Sequence, residues 1–512
     1  MSRSEFGRFG TAALFLILVV IYTGNSFAHI EQSYVLIAAA LVGAYMAINI
    51  GANDVANNVG PAVGSLAISL SGAIVLAVVF EAGGALLAGG DVVSTVKKGI
   101  IDPAEINNPN VFVWVMMGAL MGAAIWLNAA TWFGAPVSTT HSIVGGVMGA
   151  GIAAGGWGIV NWDSMLKIAL SWVVSPVIGG VVAAVFLLVL KRMVFFKADP
   201  ISAAKRVVPV MIAIMAWAFT TYLFLKGISK ITNIDFPTAL MSGAAVAVIV
   251  WLIVKPIIGR LAPDLSPNRD GVNRLFTIPL IFSAALLSFA HGANDVANAV
   301  GPLAGIVDVL IEGTGSSKVA IPLWVMAIGA LGIAVGLALF GPKLIRTVGT
   351  EITELDRSRA FCIALAAAIT VIVASQLGLP ISSTHVALGA VFGVGFLREY
   401  LDRKLNKAVE NVIASHEGKA DFVEVEKFMR NFQSALPDAK KNLLDELKRM
   451  GPEAVISAAQ RKQLKKALGR HLVKRTALFK IISAWIITVP ASAFLAALFF
   501  FVLKTIVSGT VV

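Results

Sequence analysis

Runs of apolar residues long enough to cross a lipid bilayer recur along this chain, among them 166–190, 236–254 and 478–503. A helix needs roughly 20 such residues to span the hydrocarbon core. Composition agrees: 57% of the 512 residues are hydrophobic, 14% are charged and the mean hydropathy is +0.84, where a soluble domain is about a quarter charged. No soluble core needs so much apolar sequence, so lipid is the solvent for most of the protein. The 47 glycines and 19 prolines fit, because both are tolerated in spanning helices and mark their breaks. The one cysteine, Cys362, lies in the apolar run 360–374, which leaves no disulfide to form within the chain.

The net charge of +12 is not spread evenly. Between Arg398 and Arg475 lie 18 of the 41 Lys and Arg, against 11 Asp and Glu. A solvated cytoplasmic face accounts for that excess, and with no recognition motif present a nucleic-acid partner is not expected. At the other end, residues 11–22 are apolar behind Arg3 and Arg8, and Ser26-Phe27-Ala28 resembles a cleavage site. Residues 1–29 are therefore a first spanning helix or a signal peptide, and in both cases His29 begins outside the cytoplasm.

The chain also repeats itself. Gly51-Ala52-Asn53-Asp54-Val55-Ala56-Asn57-Asn58-Val59-Gly60-Pro61 recurs 241 residues later at 292–302, with Ala299 in place of Asn58 as the one change. Gly134-Ala135-Pro136-Val137-Ser138-Thr139-Thr140-His141 matches Gly378-Leu379-Pro380-Ile381-Ser382-Ser383-Thr384-His385, 244 residues on. A weaker pair sets Ser171 and Trp172 against Ser483 and Trp485, displaced by the extra charged segment. This predicts one transmembrane repeat over 30–190, connecting spans within 191–274, a second repeat over 275–397 completed by a last helix in 476–512, and a small helical insertion at 398–475. Within that insertion, Ala439–Met450 and Ala458–Lys474 carry the helical period.

Loop charge assigns the sides. Residues 191–206 and 255–274 are both basic and flank two spans, which puts both in the cytoplasm. Residues 155–164 hold no Lys or Arg and read as external, whereas their counterpart in the second half is the basic 398–475 segment. Matching positions on opposite sides make the repeats inverted. The expected fold is an all-α polytopic membrane protein of two inverted repeats with broken or re-entrant helices, plus a small cytoplasmic helical insertion.

Asp54 and Asp295 follow the apolar helices Tyr34–Ile50 and Leu275–Ala290. A carboxylate at membrane depth is costly unless it meets a cation, a proton or water. Gly51 and Gly292 would let the backbone unwind there, and Asn53, Asn57, Asn294 and Asn298 would add neutral oxygens around a hard cation. The bland alternative, helix capping, is weakened by the near-identity of the two copies. In the second motif each proline precedes a hydroxyl cluster and then a short glycine-rich stretch, Ser142–Ala154 or Val386–Phe396, which reads as a re-entrant half-helix. Ser138 and Ser382 would cap these helices. The free N–H groups and the hydroxyls of Thr139, Thr140, Ser383 and Thr384 would face an anion, unless they satisfy their own backbone instead. His141 and His385 read as neutral groups that position those hydroxyls, with proton relay as the second option. Lys97 and Lys98 read as an interfacial charge pair.

These motifs resemble the inorganic phosphate transporter family of Pit or PiT type, over nearly the whole chain outside 1–30 and 398–475. The resemblance implies a secondary active transporter that imports inorganic phosphate by symport with Na+ or H+ through alternating access. It further implies a multi-pass protein of the cell membrane, in bacteria the inner membrane. Asn53, Asp54, Asn57, Asn294, Asp295 and Asn298 would couple the cation, with Asp54 and Asp295 binding Na+ if sodium drives transport. Ser138, Thr139, Thr140, Ser382, Ser383 and Thr384 would bind phosphate. Beyond phosphate, the coupling ion and membrane lipid, a homodimer is an allowed partner; no cofactor is expected. A sulfate or related oxyanion symporter is the alternative within this class, and an anion channel the alternative outside it. A channel needs a continuous polar pore, whereas the polar residues here gather at two matched sites. A membrane hydrolase has no evident use for two inverted Ser and His copies, so no enzyme is expected.

Overall fold

Side-chain caps written into the sequence start many of the helices. Ser69, Asn161, Asp199, Asp235 and Asp356 each accept a hydrogen bond from the backbone N–H three residues on, which satisfies one of the otherwise orphaned first-turn donors. The computed structural model describes residues 3–101, 106, 108–133, 137–227, 234–266, 268–312, 321–351, 355–434, 437–451, 454, 456–467 and 475–509. Among them there is no strand, and one isolated β-bridge joins Ile101 to Val160.

The first half contributes α1 (Arg3–Ser26), α2 (Ser33–Gly64), α3 (Leu70–Ala88), α4 (Gly90–Lys98), α5 (Pro109–Trp132), α6 (Thr139–Gly155) and α7 (Trp162–Leu190). A connecting pair follows, α8 (Pro200–Lys226) and α9 (Phe236–Leu261). The second half holds α10 (Arg269–Leu275), α11 (Thr277–Asp295), α12 (Ala297–Glu312), α13 (Leu323–Glu351), α14 (Arg357–Gln376), α15 (Ser383–Ala414) and α19 (Arg475–Gly509). Between α15 and α19 lie α16 (Phe422–Ser434), α17 (Pro437–Arg449) and α18 (Ala458–Ala467). Eleven stretches of the described residues are long and apolar enough to cross a membrane. The protein is an all-α polytopic membrane protein.

The halves are divisions of sequence and not of space. α2 packs along α13 while α3 packs along α11, and α6 packs on α19 while α7 packs on α15. Each pairing is the image of the other under exchange of the halves, so each repeat buries its helices against its counterpart. The glycines of the first motif serve this packing. A Cβ on Gly51 would lie 1.9 Å from the Ile333 carbonyl oxygen, and one on Gly292 would lie 2.1 Å from that of Glu81. Side chains there would force the helix pairs apart. The expected unwinding at Gly51 and Gly292 is therefore corrected: α2 runs unbroken through Asp54 to Gly64, and in the second copy Val296, between α11 and α12, keeps helical backbone angles and its N–H still reaches the Gly292 carbonyl at 3.3 Å.

α15 corrects a second expectation. The stretch after Ser382 is not a short half-helix but the start of a 32-residue helix. Its far end joins α16, α17 and α18 in a small core of Val409, Val412, Val425, Phe432, Leu444 and Leu464. Helices α16, α17 and α18 fall within the segment 398–475 read from the sequence as a helical insertion, of which 435, 436, 452, 453, 455 and 468–474 lie outside the described residues. Lipid contact falls on the periphery: 17% of the apolar window of α1 and of the one starting at Phe236 is buried, against 89% for Thr277–Ile311 and for α14. The functional motifs lie on these last, enclosed helices or against them.

Candidate functional site

Two helix starts meet two motif helices. Ser138 caps α6 by accepting from the His141 N–H at 3.1 Å, and Ser382 caps α15 by accepting from the His385 N–H at 3.2 Å. Each of those hydroxyls accepts at its own helix start and keeps its proton to donate, while the next hydroxyls reach across. Thr139 Oγ1 lies 2.7 Å from Asp54 Oδ2 and 3.3 Å from Asp295 Oδ2. One hydroxyl has one proton, so it donates to Asp54, the closer. Ser383 Oγ donates to Asp295 Oδ2 at 3.0 Å, and Thr384 Oγ1 donates to Asp54 Oδ1 at 3.0 Å.

The asparagines complete a pseudo-symmetric net between the halves. Asn57 Nδ2 donates to Thr384 Oγ1 at 2.9 Å, and its counterpart Asn298 Nδ2 donates to Thr140 Oγ1 at 3.1 Å. Asn298 also donates to Thr139, and Thr140 donates to the Ile381 carbonyl at 2.9 Å. Asn294 Nδ2 turns aside to Ser375 Oγ and the Leu379 carbonyl, and Asn53 Nδ2 finds no partner among the described residues. All twelve residues singled out from the sequence are buried, each 6% exposed or less. The structure therefore brings the two aspartates and four of the six Ser/Thr residues into one cluster, whereas Ser138 and Ser382 cap helices beside it. The first three residues of that motif, Gly134, Ala135 and Pro136, lie outside the described residues.

Two residues that the motif reading passed over belong to the cluster. His291 Nε2 lies 3.2 Å from Asp295 Oδ2 and 3.9 Å from Asp54 Oδ2, and its Nδ1 lies 3.1 Å from Glu81 Oε2. Asn58 Nδ2 donates to the other Glu81 oxygen at 2.8 Å. Ligand atoms of Asp54, His291 and Asp295 lie within 4.8 Å of one another. Both missed residues carried a signal: Glu81 is the one charged residue in the apolar run 70–88, and His291 precedes Asp295 by one helical turn. Three carboxylates and one imidazole thus share a buried volume. Such a group must be neutralised, by protons on its carboxylates or by positive charge beside them, because uncompensated burial of charge costs several kcal/mol per ion.

The weak third repeat acquires a reason. Trp172 stacks on His141 at 3.8 Å between ring centroids, His141 meets His385 at 4.4 Å, and His385 stacks on Trp485 at 3.5 Å. His141 Nδ1 is 2.8 Å from Ser138 Oγ, which ties the ring to the cap. Lys97 forms a buried ion pair with Asp308, and Lys98 lies 3.9 Å from the same carboxylate, so this pair braces α4 against α12.

Comparison with known proteins gives this arrangement a family. A model of the phosphate transporter family matches residues 50–496. A protein of Helicobacter pylori strain J99 named as a phosphate permease is 50% identical over 480 residues, covering 92% of this chain and 90% of its own. The chloroplastic inorganic phosphate transporter 2-1 of Arabidopsis thaliana is 38% identical over 404 residues, covering 74% of this chain and 68% of its own. A solved structure described as the sodium-dependent phosphate transporter matches with a TM-score of 0.74 at 32% identity, covering 92% of this chain and all of the other. Family and fold are those of a transporter and not of an enzyme, and the chain belongs to the phosphate transporter family.

Proposed function

We propose that the protein is a secondary symporter that imports inorganic phosphate together with Na+. The observation that carries this reading is the convergence of Asp54 and Asp295 on one hydroxyl, Thr139, with Glu81 one imidazole further back. Phosphate near neutral pH brings one to two negative charges. Beside two ionised aspartates in a low-dielectric site it would be repelled strongly, since unit charges 4 Å apart interact at about 4 kcal/mol even for an effective dielectric constant of 20. Cations must therefore sit on the carboxylates when phosphate binds. Each ligand then improves the site for the other, and that coupling is reciprocal.

Sodium is favoured by the available oxygens. Asp295 Oδ1 and the side-chain carbonyls of Asn294 and Asn298 are buried without a hydrogen-bond donor among the described residues, and hard cations are held by such neutral and anionic oxygens together. The solved relative named as sodium-dependent points the same way. When the hydroxyls of Thr139, Ser383 and Thr384 are released from the aspartates by bound cations, they and the N-termini of α6 and α15 supply the donors for the tetrahedral anion. The pseudo-symmetric exchange of helices between halves gives two equivalent ways to open that site, as alternating access requires. The cell membrane, the inner membrane in a bacterium, is the place for such a protein. The test is uptake into proteoliposomes with Na+ and pH gradients imposed independently. Phosphate should accumulate with an inward Na+ gradient at equal pH, and sulfate should not compete. Accumulation driven by pH alone would assign H+ as the coupling ion, and flux that never exceeds equilibrium would make the protein a channel.

A further inference from the structure

Away from the polar cluster, α9 packs on α8 and leaves a slot of about 680 Å³ between itself and α11. Val250, Val254 and Ile257 of α9, Met215 and Phe219 of α8 and Phe282 of α11 line it. These are membrane-spanning helices, and α9 is among those most open to lipid. One end of the slot is charged. Arg274 lines it there together with Asp264, is exposed, and has no carboxylate partner among the described residues. The neighbouring rim adds more arginine. Arg357 donates to Thr277 Oγ1 at 2.9 Å, Thr277 donates back to the Arg274 carbonyl, and Arg269 and Arg359 share Asp356 at 2.6 and 3.3 Å. Along the segment 255–274 that borders the slot, Lys255, Arg260, Arg269 and Arg274 stand against Asp264 and Asp270.

We propose that this slot holds an acyl chain of an anionic phospholipid whose headgroup phosphate rests on Arg274. The apolar walls suit a chain and not a peptide, because they run along helices whose surroundings are hydrocarbon. A guanidinium without a carboxylate partner at the membrane edge suits a phosphate oxygen pair. The basic surplus favours anionic over zwitterionic headgroups on the side that loop charge assigns to the cytoplasm. No step of the transport reading is needed for this site, so the two stand or fall separately.

Native mass spectrometry of the full-length protein in detergent, with phosphatidylglycerol and phosphatidylcholine added in equal amounts, tests it. The unmodified protein should retain phosphatidylglycerol preferentially. Arg274→Gln should reduce that preference at least fivefold, and Val254→Trp, which fills the slot from a peripheral helix, should lose bound lipid of both kinds. Inorganic phosphate at millimolar concentration should leave the adducts in place. Preference unchanged in Arg274→Gln, adducts unchanged in Val254→Trp, or displacement by inorganic phosphate would each overturn the proposal. So would a Val254→Trp protein that keeps its lipid but changes oligomeric state, because the slot would then seat a second copy.

Discussion

The two copies of the first motif differ by one residue in eleven, yet their surroundings differ far more. One turn before Asp295 stands His291, within reach of the aspartate. One turn before Asp54, Ile50 occupies the place of His291. Asn58, which bonds Glu81, is replaced in the second copy by Ala299. Where the paired packing puts Glu81 beside Gly292, the matching contact of Gly51 is with Ile333. What is duplicated therefore builds the net of Asp, Asn, Ser and Thr on both sides. What occurs once, Asn58–Glu81–His291, adds a charge-bearing chain to one side only. A symmetric set of ligands can bind equally in two orientations, whereas the unduplicated chain distinguishes the two halves and, under the proposed symport, would set the charge that a coupling cation has to balance.

The largest expected effect breaks the symmetric part. Asp54→Asn and Asp295→Asn should each lower concentrative phosphate uptake more than about 100-fold, since removing one member of a buried charge cluster costs about 3–5 kcal/mol, while phosphate exchange persists. Vesicle uptake compared with counterflow measures both. Accumulation with ordinary sodium dependence in either variant would remove that aspartate from the coupling site. Next, Glu81→Gln keeps an acceptor for Asn58 but removes the charge facing His291. The apparent affinity for the driving ion should fall roughly tenfold, as expected for a hydrogen bond to a charged group at about 1.5–3 kcal/mol, read from the sodium dependence of uptake. No change there would mean that the unduplicated chain is structural only.

A smaller effect compares the two hydroxyls, one from each half, that donate to Asp54. Thr139→Val removes the donor to Asp54 and an acceptor for Asn298, whereas Thr384→Val removes the corresponding donor to Asp54 and the acceptor for Asn57. Both should weaken phosphate binding by roughly five- to tenfold, at about 1 kcal/mol per neutral hydrogen bond, by equilibrium dialysis with labelled phosphate. A loss confined to one of them would show that the two halves do not contribute equally to the hold on Asp54. The smallest change is expected for Ser138→Ala and Ser382→Ala. Each loses an N-cap at about 1 kcal/mol of stability, seen as a lower melting temperature in detergent, with phosphate affinity altered less than by the threonine changes.

Much of this architecture could be read before any coordinates. Spanning lengths, caps and the inversion are local or statistical features: Ser138 and Ser382 cap because their type and position dictate it. The meeting of Asp54 with Asp295 was implied by duplication but not placed by it, because pairing across 241 residues depends on how the halves interleave. Gly51 shows why one residue type can mislead. Glycine serves backbone unwinding and close helix approach alike, and only the position of Ile333 decides between them. Glu81 and His291 escaped because attention to repeated residues discounts single ones, although an isolated charge in an apolar span is itself a functional signal.

The central claim is that bound cations turn a repulsive carboxylate cluster into an anion site. Isothermal titration of purified protein with phosphate at a series of sodium concentrations, and with sodium in the presence and absence of phosphate, tests it most directly. The account predicts that phosphate affinity rises with sodium and saturates, that sodium affinity rises by the same factor when phosphate is present, and that both effects vanish in Asp54→Asn and Asp295→Asn. Phosphate affinity independent of sodium in the unaltered protein would contradict it.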